Sequence, residues 1–234
     1  MSFFTEFPSM ERTELRDLKK GIDSSFKEFS RAWGEGIEAF FDPLFYFLVN
    51  FEKLLLWTPW PIIILIFSGL SYFGSRSWKL ATGTAISFLF IGYLGMWNNT
   101  MSTVALISVA TFVCIAVGIP IGIAMSRSER LQSMITPILD IMQTIPIFVY
   151  LLPVVMLLGI GKVPGLIAVC VYAMPPIVRL TNLGLRLVDK EVLEAAVAFG
   201  SNYRQRLFSV QLPLALPNIF AGVNQTIMMA LAMV

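Results

Sequence analysis

The fold is decided by one uncharged stretch, VALISVATFVCIAVGIPIGIAM, which occupies residues 104–125. Its 22 residues are enough for a helix to cross a bilayer, since a span needs about 20 apolar residues. Five further apolar stretches cover residues 61–72, 80–97, 145–160, 163–178 and 214–234. The sequence therefore predicts an all-α, polytopic transmembrane helix bundle with six spans, several of them kinked by internal prolines.

The composition of the whole chain supports a membrane protein and excludes several kinds of enzyme. Of 234 residues, 56% are apolar and only 14% are charged, which is too few charges for a water-soluble domain. There is no histidine, so histidine acid–base catalysis and most transition-metal sites are excluded. Cys114 and Cys170 lie in apolar runs and are interpreted as buried hydrophobes, not as a disulfide or metal pair. We predict a chain without enzymatic activity and without a catalytic residue, metal or cofactor of its own.

The first part of the chain differs in character from the rest. Residues 1–57 contain 10 acidic and 7 basic side chains, and their start lacks the pattern of a cleavable signal peptide. Apolar residues spaced three or four apart predict an amphipathic helix here. They are Leu15, Leu18, Ile22, Phe26, Phe29 and Trp33.

A second helix is predicted over residues 43–57, after two glycines. Asp42 would cap its N-terminus and Pro43 would occupy its first turn. The segment has 15 residues and includes Glu52 and Lys53, so we expect it to lie in the membrane interface. The predicted organisation is an extracytoplasmic or interfacial arm over 1–57, two accessory transmembrane helices over 58–97, and a core transmembrane domain over 98–234.

Basic residues in the short loops predict the orientation. With alternating spans, nine of the ten Lys and Arg residues after residue 57 fall on one side, and only Lys162 falls on the other. The positive-inside rule assigns the side with nine to the cytoplasm. The acidic arm is then outside the cell. The nine are Arg76, Lys79, Arg127, Arg130, Arg179, Arg186, Lys190, Arg204 and Arg206.

A long loop on the cytoplasmic side contains EAAVAFGSNYRQRLFSVQLP, residues 194–213. The pattern predicts a helix that ends at Phe199, a left-handed Gly200, and a second helix capped by Ser201 or Asn202 that stops at Pro213. Such a helix pair is often a simple connection, but it could also project from the membrane face as a docking site for a partner protein.

The segment closely resembles the EAA signature of the permeases of ABC importers. The resemblance implies a type I importer permease fold, with a coupling loop over 186–213 that contacts an ATPase. In this sequence Val210 stands where the signature usually has isoleucine. The residues that match the signature are Glu194, Ala195, Ala196, Gly200, Val210, Leu212 and Pro213.

Three further segments resemble the glycine betaine/proline betaine permease subfamily. They are LDIMQTIPIFVYLLPVVMLLGIGKVPG over 139–165, YAMPPIVRLTNLG over 172–184, and PLALPNIFAGVNQT over 213–226. The resemblance implies a homodimer in a bacterial plasma (inner) membrane, in contact with lipid but not with nucleic acid. It also implies an extracytoplasmic binding protein, two ATPase subunits that use ATP and magnesium, and a small zwitterionic osmolyte as cargo. Chains of the subfamily continue with further spans, so we expect a fragment or a truncated chain.

Two alternatives remain open at this point. The cargo could be choline, carnitine, trimethylamine oxide or an amino acid. A different class, a membrane channel not coupled to ATP, is also compatible with the composition.

Betaine chemistry suggests which side chains line the path. A quaternary ammonium cannot donate a hydrogen bond and is attracted to aromatic faces, whereas a carboxylate needs dipoles. Polar groups at membrane depth are costly unless they face the bundle interior or a cavity. Two alternatives to a role in the path remain. The aromatic candidates could pack within the protein or face lipid, and Asp140 could be solvated at the cytoplasmic interface. The candidates are Asp140, Gln143, Phe148, Tyr150, Tyr172, Asn224 and Gln225.

Overall fold

A computed structural model describes residues 12–234, apart from the side chains of residues 33–35 and 38. All the regular structure in this part of the chain is helical, as predicted. The first eleven residues of the predicted arm, and the Trp33 side chain on its apolar stripe, lie outside the described residues. The helices are α1 (Arg12–Trp57), α2 (Trp60–Ser75), α3 (Trp78–Tyr93), α4 (Trp97–Arg127), α5 (Glu129–Thr144), α6 (Ile147–Leu158), α7 (Lys162–Arg186), α8 (Lys190–Ala198), α9 (Tyr203–Gln205), a π segment (Arg206–Gln211) and α10 (Leu212–Met233).

The uncharged stretch forms α4, which packs with α7 and α10 to make the core. Glycines line these contacts: Gly118 and Gly122 face α7, Gly184 faces α10, and Gly222 faces α7. A Cβ atom on Gly122 would lie 2.7 Å from the carbonyl oxygen of Val178. Small residues let helix backbones approach closely, which is the main way in which helices associate in a bilayer.

Thiol contacts show that α4 and α7 run in the same direction. The Cys114 thiol donates to the Cys170 carbonyl at 3.6 Å, and the Cys170 thiol donates to the Ala110 carbonyl at 3.8 Å. Further along, Arg186 of α7 donates to the Met125 carbonyl of α4. Both cysteines are free and buried, which confirms their interpretation as small hydrophobes.

The predicted break in the arm is wrong. Helix α1 continues from Arg12 to Trp57, and Asp42 does not begin a new helix. A helix tolerates Pro43 at the loss of one backbone hydrogen bond, and each glycine costs only about 1 kcal/mol relative to alanine. Packing of the second half of α1 against α4, α6 and α7, with Leu48 fully buried, compensates for these losses.

The prediction of six spans remains a prediction, because length and composition alone identify fewer than six in the described residues. Three helices of the described chain are long and apolar enough to cross a membrane: α4, α7, and the continuous run Tyr203–Met233. Two bent pairs would raise the number to five, namely Ala39–Trp57 with α2, bent by 106°, and α5 with α6, bent by 91°. The predicted second span is α3, whose 16 residues measure about 24 Å against a hydrocarbon core of about 30 Å.

The span predicted over 145–160 contains a single helix of 12 residues, α6, and a second helix, α5, ends just before it. Ser128 caps the start of α5, and its hydroxyl oxygen accepts from the Leu131 amide at 3.3 Å. Helix α5 ends before Pro146, which opens α6 after the sharp bend. Local capping and proline therefore break the chain into two shorter helices.

The parallel helices α4 and α7 give the bundle two distinct ends. We call the end with their first residues the Lys162 end, and the end with their last residues the Arg127 end. The predicted orientation assigns the Lys162 end to the outside and the Arg127 end to the cytoplasm. That assignment remains a prediction.

Candidate functional site

Helix α8 presents the first part of the loop motif to solvent. The Asp189 carboxylate caps the helix by accepting from the Glu191 amide at 2.9 Å. Glu194 and Ala195 lie in the middle of α8 and are exposed, and no residue of this helix is buried. Because the body of the protein does not cover it, α8 is available for contact with a partner.

The turn after α8 has the predicted geometry. Gly200 has a φ of +79°, in the left-handed region that favours glycine. The Ser201 amide and hydroxyl both donate to the Ala196 carbonyl. Asn202, and not Ser201, caps α9, through reciprocal 2.9 Å hydrogen bonds with Gln205. The prediction of a left-handed Gly200 is confirmed.

The predicted stop at Pro213 is wrong, because the helix is continuous from Tyr203 to Met233. Before the proline the chain widens into the π segment, in which the Leu212 amide donates to the Leu207 carbonyl five residues back. The wider turn leaves room for the proline ring, which would otherwise clash with a carbonyl of the preceding turn. Val210 lies in the π segment, and Leu212 and Pro213 open α10.

Two of the polar path candidates contact other helices. Asp140 of α5 forms an ion pair with Arg179 of α7, and about half of the Asp140 side chain remains exposed. The Gln143 side chain amide lies 3.7 Å from the sulfur of Met229 on α10. Helix α5 is therefore joined to α7 and to α10 by polar groups.

The aromatic candidates lie on α6 and α7. Phe148 borders an apolar cavity of about 390 Å³ between α4, α6, α7 and α10. The hydroxyl of Tyr150 is buried and has no hydrogen-bond partner among the described residues. A buried hydroxyl without a partner is uncommon, which makes Tyr150 the most unusual of the three.

The seven path candidates do not form one cluster. Asn224 and Gln225 lie on an exposed part of α10, and their side chains make no hydrogen bond within residues 12–234. In the same part of the chain no three potential metal ligands come together. The roles proposed for the seven residues remain predictions.

Sequence reasoning missed a buried carboxylate and its two polar partners at the Lys162 end. The Glu52 carboxylate is 5% exposed, accepts a 2.6 Å hydrogen bond from the Ser102 hydroxyl, and forms an ion pair with Lys162. These residues join α1, α4 and α7. The available signal was Glu52, a charged residue inside an apolar run. In the sequence it served only as an argument against a membrane span over residues 43–57.

These features define a polytopic helical membrane protein with an exposed helical loop at one end of its core. Residues 115–233 match the family described as "Binding-protein-dependent transport system inner membrane component". The match covers half of the chain, and the protein belongs to this family.

Three relatives illustrate the similarity. The chain is 47% identical over 217 residues to the glycine betaine/proline betaine transport system permease protein ProW of Escherichia coli (strain K12), covering 93% of this chain and 60% of ProW. It is 48% identical over 176 residues to the glycine betaine transport system permease protein OpuAB of Bacillus subtilis (strain 168), covering 75% and 62%. It is 36% identical over 176 residues to the trimethylamine N-oxide transport system permease protein TmoV of Ruegeria pomeroyi, covering 75% and 27%. The resemblance to glycine betaine/proline betaine permeases is confirmed, although the chain spans less than two thirds of each relative.

Proposed function

We propose that the protein is the permease subunit of an ATP-driven, binding-protein-dependent importer of glycine betaine or a related compatible solute. The observation that carries the proposal is the exposed loop at the Arg127 end. There α8 presents Glu194, and Gly200 turns the chain through a left-handed conformation into the helix that continues as α10. This loop resembles the signature that contacts ATPase subunits.

The proposal divides the work between several chains. Two ATPase subunits bind ATP and magnesium and dock on α8, so this chain needs no catalytic residue or cofactor. A binding protein delivers the cargo at the Lys162 end, and a second copy of the permease completes the path. The arm over residues 1–57 lies at the outer surface of the membrane. The ion pair between Glu52 of its second half and Lys162, at the end assigned to the outside, supports this placement.

Glycine betaine is favoured over the other cargoes because the relatives at 47% and 48% identity carry it in their names. Trimethylamine oxide is the second candidate, since a relative at 36% identity is named for it. Both molecules present methylated nitrogen, which suits the rings of Phe148, Tyr150 and Tyr172.

Replacement of Gly200 by leucine tests the coupling role. The side chain would occupy a left-handed conformation at a cost of about 1–2 kcal/mol and would displace α8. Gly95→Leu is the matched control, because Gly95 also has a positive φ, +74°, and open space around it but lies between α3 and α4. In vesicles that contain the complete permease, the ATPase and the binding protein, Gly200→Leu should lower ATP-dependent betaine uptake about tenfold or more. Gly95→Leu should retain it.

Three outcomes would contradict the proposal. Unchanged uptake by Gly200→Leu would remove the coupling role of the loop. Betaine uptake without ATP by the unmodified protein would indicate a channel. Faster uptake of labelled trimethylamine oxide than of betaine would reassign the cargo.

A further inference from the structure

Two contacts join the last turn of α4 to both ends of the loop between α7 and α10. At the start of the loop, Arg186 donates from Nη2 to the Met125 carbonyl at 3.1 Å. At its far side, the Arg127 guanidinium carbon lies 4.4 Å from the centre of the Tyr203 ring. We call these four residues the inner clamp. They hold the docking loop from both sides against a helix that is remote from it in sequence.

The chemistry of each contact suits its position. The last carbonyls of a helix lack their regular partners and carry the negative end of its dipole, so a guanidinium is favourable at the Met125 carbonyl. Among the described residues, this carbonyl otherwise accepts only a long 3.4 Å hydrogen bond from the Ser128 amide. Arg186 is held in place by a second hydrogen bond, from Nε to the Asn182 side chain at 3.1 Å. Across the loop, the face of a tyrosine ring attracts the positive charge of Arg127.

Tyr203 is also the first residue of the continuous helix Tyr203–Met233. Leu207, one turn later, is buried and fixes the start of this helix in the body. Helix α8 packs against the π segment that follows. A displacement of α8 therefore reaches α10 directly through the backbone, and it can reach α4 through the Tyr203 ring.

We propose that Tyr203 and Arg127 are positioning residues that transmit movement of α8 to α4. The proposal rests on the proposed function, since it requires an ATPase that moves α8. Helices α4, α7 and α10 are in close contact through their glycines, and the inner clamp makes all three respond together at the Arg127 end. Without the clamp, ATP hydrolysis would move α10 but only partly move α4.

The test is the ratio of betaine transported to ATP hydrolysed, in vesicles with the complete permease, its ATPase and its binding protein. Tyr203→Leu removes the ring, and Arg127→Gln removes the charge. Each should lower the ratio threefold or more at equal amounts of assembled complex. Tyr203→Phe keeps the ring and should stay within twofold of the unmodified protein.

Arg130→Gln is the matched control for charge. Arg130 is exposed in the first turn of α5, and its guanidinium contacts no aromatic or acidic side chain in residues 12–234. This variant should also keep its ratio within twofold. The double variant Arg127→Gln with Tyr203→Leu should match Tyr203→Leu alone, because loss of the ring already removes its contact with Arg127 and also the longer one with Arg206, whose guanidinium carbon lies 5.8 Å from the ring centre.

Each opposite result has a distinct meaning. A normal ratio for Tyr203→Leu would overturn the clamp and leave the importer intact. Loss of ATPase binding by Tyr203→Leu, with a normal ratio for the remaining complexes, would also overturn it, because Tyr203 would then be a docking contact. Uptake by the unmodified protein without ATP would overturn the proposed function and the clamp with it.

Discussion

Replacing Gly122 with alanine tests the close contact between α4 and α7. An added Cβ would lie 2.7 Å from the Val178 carbonyl oxygen and 2.6 Å from the Cβ of Thr181, whereas ordinary van der Waals contact begins at 3.4 Å. The shortfall against the carbonyl is about 0.7 Å. Because that oxygen belongs to the backbone of α7, it cannot rotate away, and the two helices must separate.

Overpacking of this kind costs about 1–3 kcal/mol. The substitution also has a favourable part, since alanine in a helix interior is more stable than glycine by roughly 0.5–1 kcal/mol. Gly83→Ala in α3 has only the favourable part, because nothing lies within 4 Å of its added Cβ. The two variants should therefore differ by about 1–3 kcal/mol, which corresponds to roughly 3–9 °C in the unfolding midpoint of a chain of this size.

The assay is thermal unfolding of each purified variant in the same detergent, followed by tryptophan fluorescence at one scan rate. Gly83→Ala should unfold at or above the midpoint of the unmodified protein, and Gly122→Ala clearly below that of Gly83→Ala. Gly118→Ala should also unfold below Gly83→Ala, since its Cβ would lie 2.5 Å from the Cγ2 of Ile177, a buried β-branched side chain with little freedom at χ1. A midpoint for Gly122→Ala equal to that of Gly83→Ala would refute the close packing.

Two further predictions concern the Lys162 end and the orientation. Lys162→Met should destabilise the protein by about 1.5–3 kcal/mol, because it leaves the buried Glu52 carboxylate with only Ser102 as a partner. Glu52→Gln should destabilise it less. Thermal unfolding measures both effects, and the reverse order would contradict the ion-pair geometry. Ser24→Cys should react with an impermeant thiol reagent outside whole cells, whereas Lys190→Cys should react only after permeabilisation. Both positions are exposed and the native cysteines are buried, so the opposite pattern would invert the orientation.

Features that depend on near neighbours in the chain could be predicted from the sequence. Apolar length alone indicated α4 and the greater part of α7 and α10, because the bilayer requires about 20 apolar residues for each span. The left-handed turn at Gly200 and the cap at Asn202 were also predictable, since both depend on a few adjacent residues. The family resemblance was also predictable, because it rests on short continuous segments over 139–165, 172–184 and 194–226.

Local preferences were misleading where packing or an unusual turn overrode them. Pro43 follows a favourable capping residue, yet α1 continues through it because its second half packs on the core. Pro213 has the position of a helix stop, yet the π segment before it keeps the helix continuous. The sharp bend between α5 and α6 was also missed. The sequence of α5 has the amphipathic pattern of a surface helix, so α5 was not predicted as part of the same membrane segment as α6.

Partners distant in the chain were decided only by the tertiary structure. Glu52 lies 110 residues from Lys162, Asp140 lies 39 from Arg179, and Arg127 lies far from Tyr203 in sequence but against its ring in space. The sequence by itself determined only that these residues are charged or aromatic and where along the chain they lie. The direction in which each side chain points depends on how α1, α4, α5 and α7 pack, and close contacts at a few glycines set the packing of α4, α7 and α10. Charges in an apolar environment are stable only with a partner, so the packing that supplies the partner also decides which of these residues is structural and which is free to act.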